Sequence, residues 1–75
     1  MVKIYSTPTC PYCEMTKEYF KEKGVNYEDY DVSVDDKARE EMIAKSQQMG
    51  VPVIDIDGKI IIGFNQPEID KALGL

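Results

Sequence analysis

Apolar residues along the chain follow two spacings, one typical of strands and one typical of helices. Short β-prone runs alternate with longer segments in which apolar residues recur at helical spacing. The predicted order is β-α-β-α-β-β-α, and its opening β-α-β unit implies two parallel strands. A mixed sheet of four strands with three helices on its two faces would bury nearly all the apolar runs. The predicted strands are Val2–Ser6, Tyr27–Val32, Val53–Ile56 and Lys59–Ile62, and the predicted helices are Pro11–Lys23, a segment following Ser33–Asp36 to about Ser46, and a last helix after Asn65.

Turn and cap residues separate these elements. Asp57-Gly58 between two β-rich runs is a strong hairpin signal. Ser33–Asp36 resembles a capping box for the second helix, and Asn65 with Glu68 three residues later resembles one for the third. Met15, Tyr19 and Phe20 recur at helical spacing on the first helix. Ala38, Met42 and Ile43 are expected to face inward on the second.

Length and charge exclude several classes of protein. A chain of 75 residues is expected to form one domain, residues 1–75, with a single compact core. Its formal net charge of -5 argues against nucleic acid or an anionic membrane as partner, since both require basic patches. No apolar targeting segment precedes the first predicted strand, so we expect a cytoplasmic protein, and we expect it to be a monomer.

The two cysteines of the chain, Cys10 and Cys13, carry its most specific chemical signal. They flank Pro11-Tyr12 where a predicted strand leads into a helix. Positions i and i+3 of a helix are neighbours, within reach of a disulfide. A disulfide that closes so short a loop stabilises a fold little, because the effect grows with loop length. The pair therefore fits a redox switch better than a structural crosslink.

Other roles are less consistent with the cysteine pair. If the cysteines served only as small buried side chains in the core, they would have no reason to lie at a loop-to-helix junction. A structural zinc site needs four ligands, and the chain has no histidine and no third cysteine, so we expect no bound metal. A c-type haem would need histidine where Glu14 stands. A Cu(I)-carrying module stays open, since two thiolates suffice for that soft ion.

Position along the helix gives the two sulfurs different roles. Cys10 lies at the predicted amino end of the helix, where free N–H groups and the helix dipole favour a thiolate nucleophile. Cys13 lies one turn further in and should be less exposed, so its natural role is to resolve a mixed disulfide on Cys10. Pro11 suits the first helical turn, and Tyr12 should line the approach to the Cys10 sulfur.

Cys10-Pro11-Tyr12-Cys13, together with Gly50-Val51-Pro52 and the late Gly63, resembles the glutaredoxin family over essentially the whole chain. The resemblance implies a minimal thioredoxin-like α/β fold and reversible exchange with disulfides or glutathione mixed disulfides. It also implies a cis bond between Val51 and Pro52, leaving the Val51 backbone free to pair with an extended thiol peptide.

The resemblance implies glutathione as co-substrate, no tightly bound cofactor, and disulfide-bearing proteins as partners. Thr7 and Gln48 stand where many glutathione-using members carry a basic residue. A related subgroup without such charges is reduced by thioredoxin reductase and serves ribonucleotide reductase, which is the alternative interpretation. Some members bind an iron–sulfur cluster across a dimer, which the proline and the second cysteine disfavour here. The implied glutathione contacts are Pro11, Tyr12, Gln48, Val51, Pro52, Gly63, Phe64, Asn65 and Gln66.

Overall fold

A computed structural model describes residues 1–75 and contains the seven predicted elements in the predicted order. Its sheet has the strand order β2-β1-β3-β4, with β1 parallel to β2 and the remaining pairs antiparallel, as expected for a thioredoxin-like fold. No helix is long and apolar enough to cross a membrane. The elements are β1 (Val2–Ser6), α1 (Pro11–Glu22), β2 (Glu28–Asp31), α2 (Asp36–Ser46), β3 (Val53–Ile56), β4 (Lys59–Ile62) and α3 (Gln66–Leu73).

The sheet separates the core into two clusters, because successive side chains of a strand point to opposite faces. Ile4 and Ile54 lie on the face that packs against Phe20 of α1 and Ile69 of α3. The other face packs against α2, and its cluster contains Tyr5, Val32, Ala38, Met42 and Val53. Helices therefore cover both faces of the sheet, as predicted, and β3 is buried along its whole length.

Of the two predicted helix caps, the helix ends confirm one and correct the other. Asn65 caps α3, where its side chain accepts from Glu68 N at 3.4 Å. The cap of α2 is Asp35, whose Oδ1 accepts from Ala38 N at 3.0 Å. Ser33 was predicted to open a capping box, but it belongs to the preceding turn, where its N–H donates to Asp31 at 2.9 Å. The acidic side chain two residues later reaches the free N–H groups of the helix instead.

One apolar residue of the helical pattern on α1 lies outside the core. Met15 is 46% exposed, and the buried side chains of α1 are Cys13, Thr16 and Phe20, with Tyr19 only half-buried. The side of α1 that faces the sheet thus carries two small residues, Cys13 and Thr16, and one large residue, Phe20. The inward positions predicted on α2 are confirmed, with Ala38 and Met42 buried and Ile43 half-buried against them.

The β3–β4 hairpin is confirmed at the predicted turn. Asp57 and Gly58 both have positive φ, 49° and 94°, which is the backbone of a two-residue turn matched to the twist of its strands. The side chain of Asp55 accepts from Gly58 N at 2.8 Å and fixes the turn. Residues Val53 to Ile56 pair with Ile62 to Lys59 in register.

A polar network joins α2 to the sheet. Lys45 donates to Asp55 at 2.7 Å, to Glu41 at 3.1 Å and to the Tyr5 hydroxyl at 3.1 Å, and the Tyr5 hydroxyl itself donates to Glu41. These hydrogen bonds satisfy the buried carboxylate of Asp55 within the core. The hydrogen bonds from Tyr5 and then Lys45 lower the pKa of Glu41 from 4.5 to about 2.

We expect Glu41→Gln to reduce the dependence of stability on acid pH. A carboxyl group with a lowered folded-state pKa stabilises the fold above its unfolded pKa, and this stability is lost as pH falls towards the folded value. For Glu41 the window lies between about pH 4.5 and pH 2. Because its side chain is 42% exposed, the effect is discounted to about 1 kcal/mol or less. Urea unfolding at several pH values would measure it.

The matched control is Glu40→Gln, which removes an exposed carboxylate without a salt bridge from the same helix. This variant should keep the wild-type pH dependence. Equal pH dependence in the wild type and in Glu41→Gln would contradict the stabilising role of the Tyr5–Glu41–Lys45 hydrogen bonds.

Candidate active site

Cys10 is the N-cap residue of α1, with an extended backbone. Its sulfur accepts from Cys13 N at 3.2 Å, while its carbonyl accepts from Glu14 N at 3.2 Å. Pro11 occupies the first helical position, where the missing N–H costs no hydrogen bond. The half-buried sulfur therefore lies at the positive end of the helix dipole, which stabilises negative charge on it.

Cys13 is a free thiol like Cys10, but it is fully buried. Burial, together with the hydrogen bond to Cys10, raises the pKa of the Cys13 thiol well above that of an exposed cysteine. The backbone N–H of Thr7 and the charge of Lys17 act in the opposite direction. The two sulfurs are therefore chemically different, with one at the surface and one held protonated beneath it.

The segment before β3 faces Cys10 across the site. The Val51–Pro52 bond is cis, as the resemblance implies. The Cys10 thiol lies 3.9 Å from the Val51 carbonyl oxygen. The Val51 N–H donates to no other group, and the next carbonyl, that of Pro52, accepts from Gly63 N at 2.8 Å. An extended peptide lying over Cys10 would find one free backbone residue to pair with, as in strand addition.

Several implied glutathione contacts already have partners within the chain. The Gln48 side chain folds back on its own loop, accepting from Gly50 N at 2.6 Å and donating to Gly50 O at 3.0 Å. The Phe64 ring packs edge-on against Tyr19, with 5.8 Å between ring centroids. Gln48 and Phe64 thus both have partners within the chain.

The amino end of α3 has few free donors. Pro67 has no N–H, and Glu68 N already donates to Asn65, which leaves the N–H of Gln66 as the free backbone donor of this turn. Glu68 places a carboxylate in the same turn, where it forms a salt bridge of 3.1 Å with Lys59. This helix end therefore resembles a capped helix more than an open anion site.

Comparison with known proteins identifies the family. A family model described as glutaredoxin matches residues 2–61. This chain belongs to the glutaredoxin family. A protein of Clostridium pasteurianum, described as an uncharacterized glutaredoxin-like 8.6 kDa protein in a rubredoxin operon, is 60% identical over 73 residues, or 97% of either chain. The family makes this chain a glutaredoxin-like redox protein.

Two further relatives agree with this assignment. Glutaredoxin 3 of Escherichia coli K12 is 40% identical over 62 residues, which cover 83% of this chain and 75% of that protein. The solved structure of a thioredoxin-like protein superposes with a TM-score of 0.90 at 30% identity, covering 96% of this chain and 99% of the other. The fold of this glutaredoxin is therefore thioredoxin-like.

The three segments that form the site of this glutaredoxin contain no charged residue. They are residues 6–13, 46–54 and 60–67, although the chain as a whole has 14 acidic and 9 basic residues. Three exposed apolar side chains lie on these same segments: Tyr12 at 61%, Met49 at 70% and Ile62 at 54%. We call these three side chains the apolar rim.

Sequence reasoning singled out Tyr12 but missed Met49 and Ile62. Met49 follows Gln48 in the loop that leads to Val51, and its position beside an implied contact was the available signal. Ile62 belongs to a run of three isoleucines in β4. The strand period places Ile61 and Ile62 on opposite faces of the sheet, and Ile62, the last residue of β4, is exposed next to Gly63, which donates to Pro52.

A charged group beside Cys13 was also missed. Lys17 lies one turn further along α1, and its ammonium forms a salt bridge of 2.8 Å with Asp29 of β2. The helical spacing of i and i+4 was the only sequence signal for this proximity. The structure contains no group of three or more histidine, cysteine or acidic side chains arranged to hold a metal ion.

Proposed function

We propose that this protein is a dithiol oxidoreductase that reduces protein disulfides, with Cys10 as nucleophile and Cys13 as resolving residue, and that a flavoprotein of the thioredoxin reductase type regenerates its dithiol. The observation that carries the choice of reductant is the lack of a charged side chain on residues 6–13, 46–54 and 60–67, the segments that also bear the apolar rim. A partner protein can cover such a rim with apolar side chains of its own.

The exchange proceeds in two balanced steps. The Cys10 thiolate attacks one sulfur of the substrate disulfide, forming a mixed disulfide and releasing the other substrate sulfur, which takes up a proton. Cys13 then attacks Sγ of Cys10, so that a Cys10–Cys13 disulfide forms, the mixed disulfide breaks and the second substrate thiol leaves. The substrate gains two electrons from the Cys10–Cys13 dithiol. The flavoprotein dithiol then supplies two electrons to the Cys10–Cys13 disulfide by the same exchange in the opposite direction.

The lack of a cation on these three segments disfavours glutathione, because that tripeptide carries a carboxylate at each end. Thr7 and Gln48 supply no cation, and the Gln48 amide is already bonded to its loop. Each exposed ion pair contributes about 0–1 kcal/mol. Two missing pairs weaken binding by roughly 2 kcal/mol at most, or about 30-fold. The proposal therefore predicts weak use of glutathione rather than none.

Glutathione-dependent exchange is the second candidate, and the free Val51 backbone favours it. An extended cysteinyl peptide could pair with the Val51 N–H and carbonyl while its sulfur meets Cys10. The free Gln66 N–H could receive one carboxylate. Under this candidate, glutathione with glutathione reductase would be the physiological source of electrons.

Coupled assays separate the two candidates. NADPH oxidation with a protein disulfide as final acceptor is followed with thioredoxin reductase alone, and in parallel with glutathione plus glutathione reductase. We expect turnover with thioredoxin reductase at least tenfold above that with glutathione at millimolar concentration. Rapid turnover with glutathione and none with the flavoprotein would overturn the choice of reductant while leaving the dithiol chemistry intact.

A designed cation sharpens this test. Gln48→Lys places a positive charge beside Val51, and we expect the KM for a glutathione mixed disulfide to fall about fivefold, the effect of ~1 kcal/mol. Asn26→Lys adds the same charge in the exposed loop before β2, at the opposite end of the sheet from Cys10, and should change nothing. Equal effects of the two variants would show that the KM depends on net charge and not on a cation beside Val51.

A further inference from the structure

A polar cluster that is not required by the reaction steps above lies directly behind Cys13. The Lys17 side chain is only 16% exposed and reaches from α1 to Asp29 on β2 at 2.8 Å. The other oxygen of Asp29 accepts from the buried Ser6 hydroxyl on β1 at 2.7 Å. Three elements thus hold the Lys17 ammonium in one place, on the helix face that also carries Cys13.

The charged and polar groups around Cys13 are few. They include Cys10, the backbone N–H of Thr7 and the cation of Lys17. Glu14 approaches Lys17 at 3.8 Å, but its side chain is 60% exposed and screened by water. Burial alone lowers the pKa of Lys17, but the hydrogen bond to Asp29 raises it, and the net result is a raised pKa. The group therefore remains an ammonium at neutral pH.

The resolving step requires a thiolate on Cys13. Cys13 is fully buried, and burial disfavours the thiolate that must attack Cys10. Water cannot solvate the developing charge at that position, so a fixed positive charge from the protein acts more strongly than it would at the surface. Lys17 is the side chain that supplies one.

We propose that Lys17, held by Asp29 and Ser6, is a positioning residue that stabilises the Cys13 thiolate during resolution of the mixed disulfide. The inference rests on the dithiol exchange proposed above. In the step concerned, the Cys13 S–H bond breaks, a bond forms between the sulfurs of Cys13 and Cys10, and the bond from Cys10 to the substrate sulfur breaks. The departing substrate thiolate takes up the proton, and Lys17 keeps its own.

The test separates the two steps by using dithiobis-nitrobenzoate, an aromatic disulfide whose released thiolate is coloured. Mixing it rapidly with an equal amount of reduced protein should release colour in two phases, first from attack by Cys10 and then from resolution by Cys13. We expect Lys17→Met to slow the second phase about fivefold at neutral pH and to shift its pH profile upward, which corresponds to somewhat under one unit in the pKa of Cys13. The first phase should keep its rate.

Two variants serve as controls. Lys17→Arg keeps the charge and should restore most of the second-phase rate. Lys21→Met removes the same charge from an exposed position one turn further along α1 and should leave both phases unchanged. Lys17→Met should fold, since the Asp29 side chain is 40% exposed and can be solvated by water. Thermal unfolding would verify this.

The outcomes are distinguishable. An unchanged second phase in Lys17→Met, an equal slowing of both phases, or the same slowing in Lys21→Met would overturn the role of Lys17. Absence of the first phase in the wild type would instead overturn the dithiol exchange itself.

Discussion

Cys10→Ser is expected to reduce thiol–disulfide exchange to the uncatalysed background. A serine hydroxyl at the N-cap can still accept the helix N–H, so the fold should persist, but it cannot form a disulfide with the substrate. The remaining sulfur, Cys13, is fully buried and holds its proton, because burial raises its pKa. Reduction of a protein disulfide in the reductase-coupled assay measures the loss.

Cys13→Ser is the matched control for this prediction. It leaves the Cys10 sulfur and its helix position unchanged, so the first attack should proceed and a mixed disulfide with the substrate should accumulate. Turnover of protein disulfides should stop because nothing resolves that intermediate. Mass spectrometry of the trapped complex would detect it. Full activity in Cys10→Ser, or failure of Cys13→Ser to form a mixed disulfide, would contradict the assigned roles.

The strands of the sheet could be predicted from the sequence because the apolar residues of each strand reflect how that strand is buried. β3 lies between two strands and under helices on both faces, so nearly all its residues are apolar. The exception, Asp55, could not be explained from the sequence. Its burial depends on Lys45, which approaches it only after α2 has packed on the sheet.

The first helix shows where periodicity fails. Met15 is large and apolar and fits a helical stripe, yet the face that meets the sheet carries Cys13, Thr16 and Phe20. Hydrophobicity favours Met15 over Thr16, but the helix turns Thr16 and Phe20 towards the sheet and Met15 towards solvent. The hydroxyl of Thr16 is satisfied locally by donating to Tyr12 O at 2.8 Å.

The candidate site was predictable where local chemistry determines it. Pro11 after Cys10 marks the start of a helix, so the cap position of the sulfur follows from a few residues. The fold-back of Gln48, the apolar rim and the salt bridge between Lys17 and Asp29 depend on loops and strand pairings distant in sequence. Contacts of this kind form only in the packed chain, which is why they could not be predicted from local sequence.

Phe20→Ala should be the most destabilising single substitution in α1. The Phe20 ring is fully buried against Ile4, Ile54 and Ile69, and it contacts Tyr27 with 5.8 Å between ring centroids. Replacing a buried phenylalanine by alanine costs about 3–5 kcal/mol, since it loses burial and leaves a cavity. Domains unfold with about 5–15 kcal/mol, and one this small lies near the lower limit. A large fraction of the variant should therefore be unfolded in water.

The same substitution tests whether the active site depends on the packing of α1. Urea unfolding should show a much lower midpoint for Phe20→Ala, and exchange activity should fall in proportion to the folded fraction, because α1 holds Cys10 at its amino end. Met15→Ala in the same helix removes an exposed side chain and should change stability by about 0.5 kcal/mol or less. If both variants lowered the midpoint equally, Met15 would contribute as much to the core as Phe20, and the packing described for this helix would be wrong.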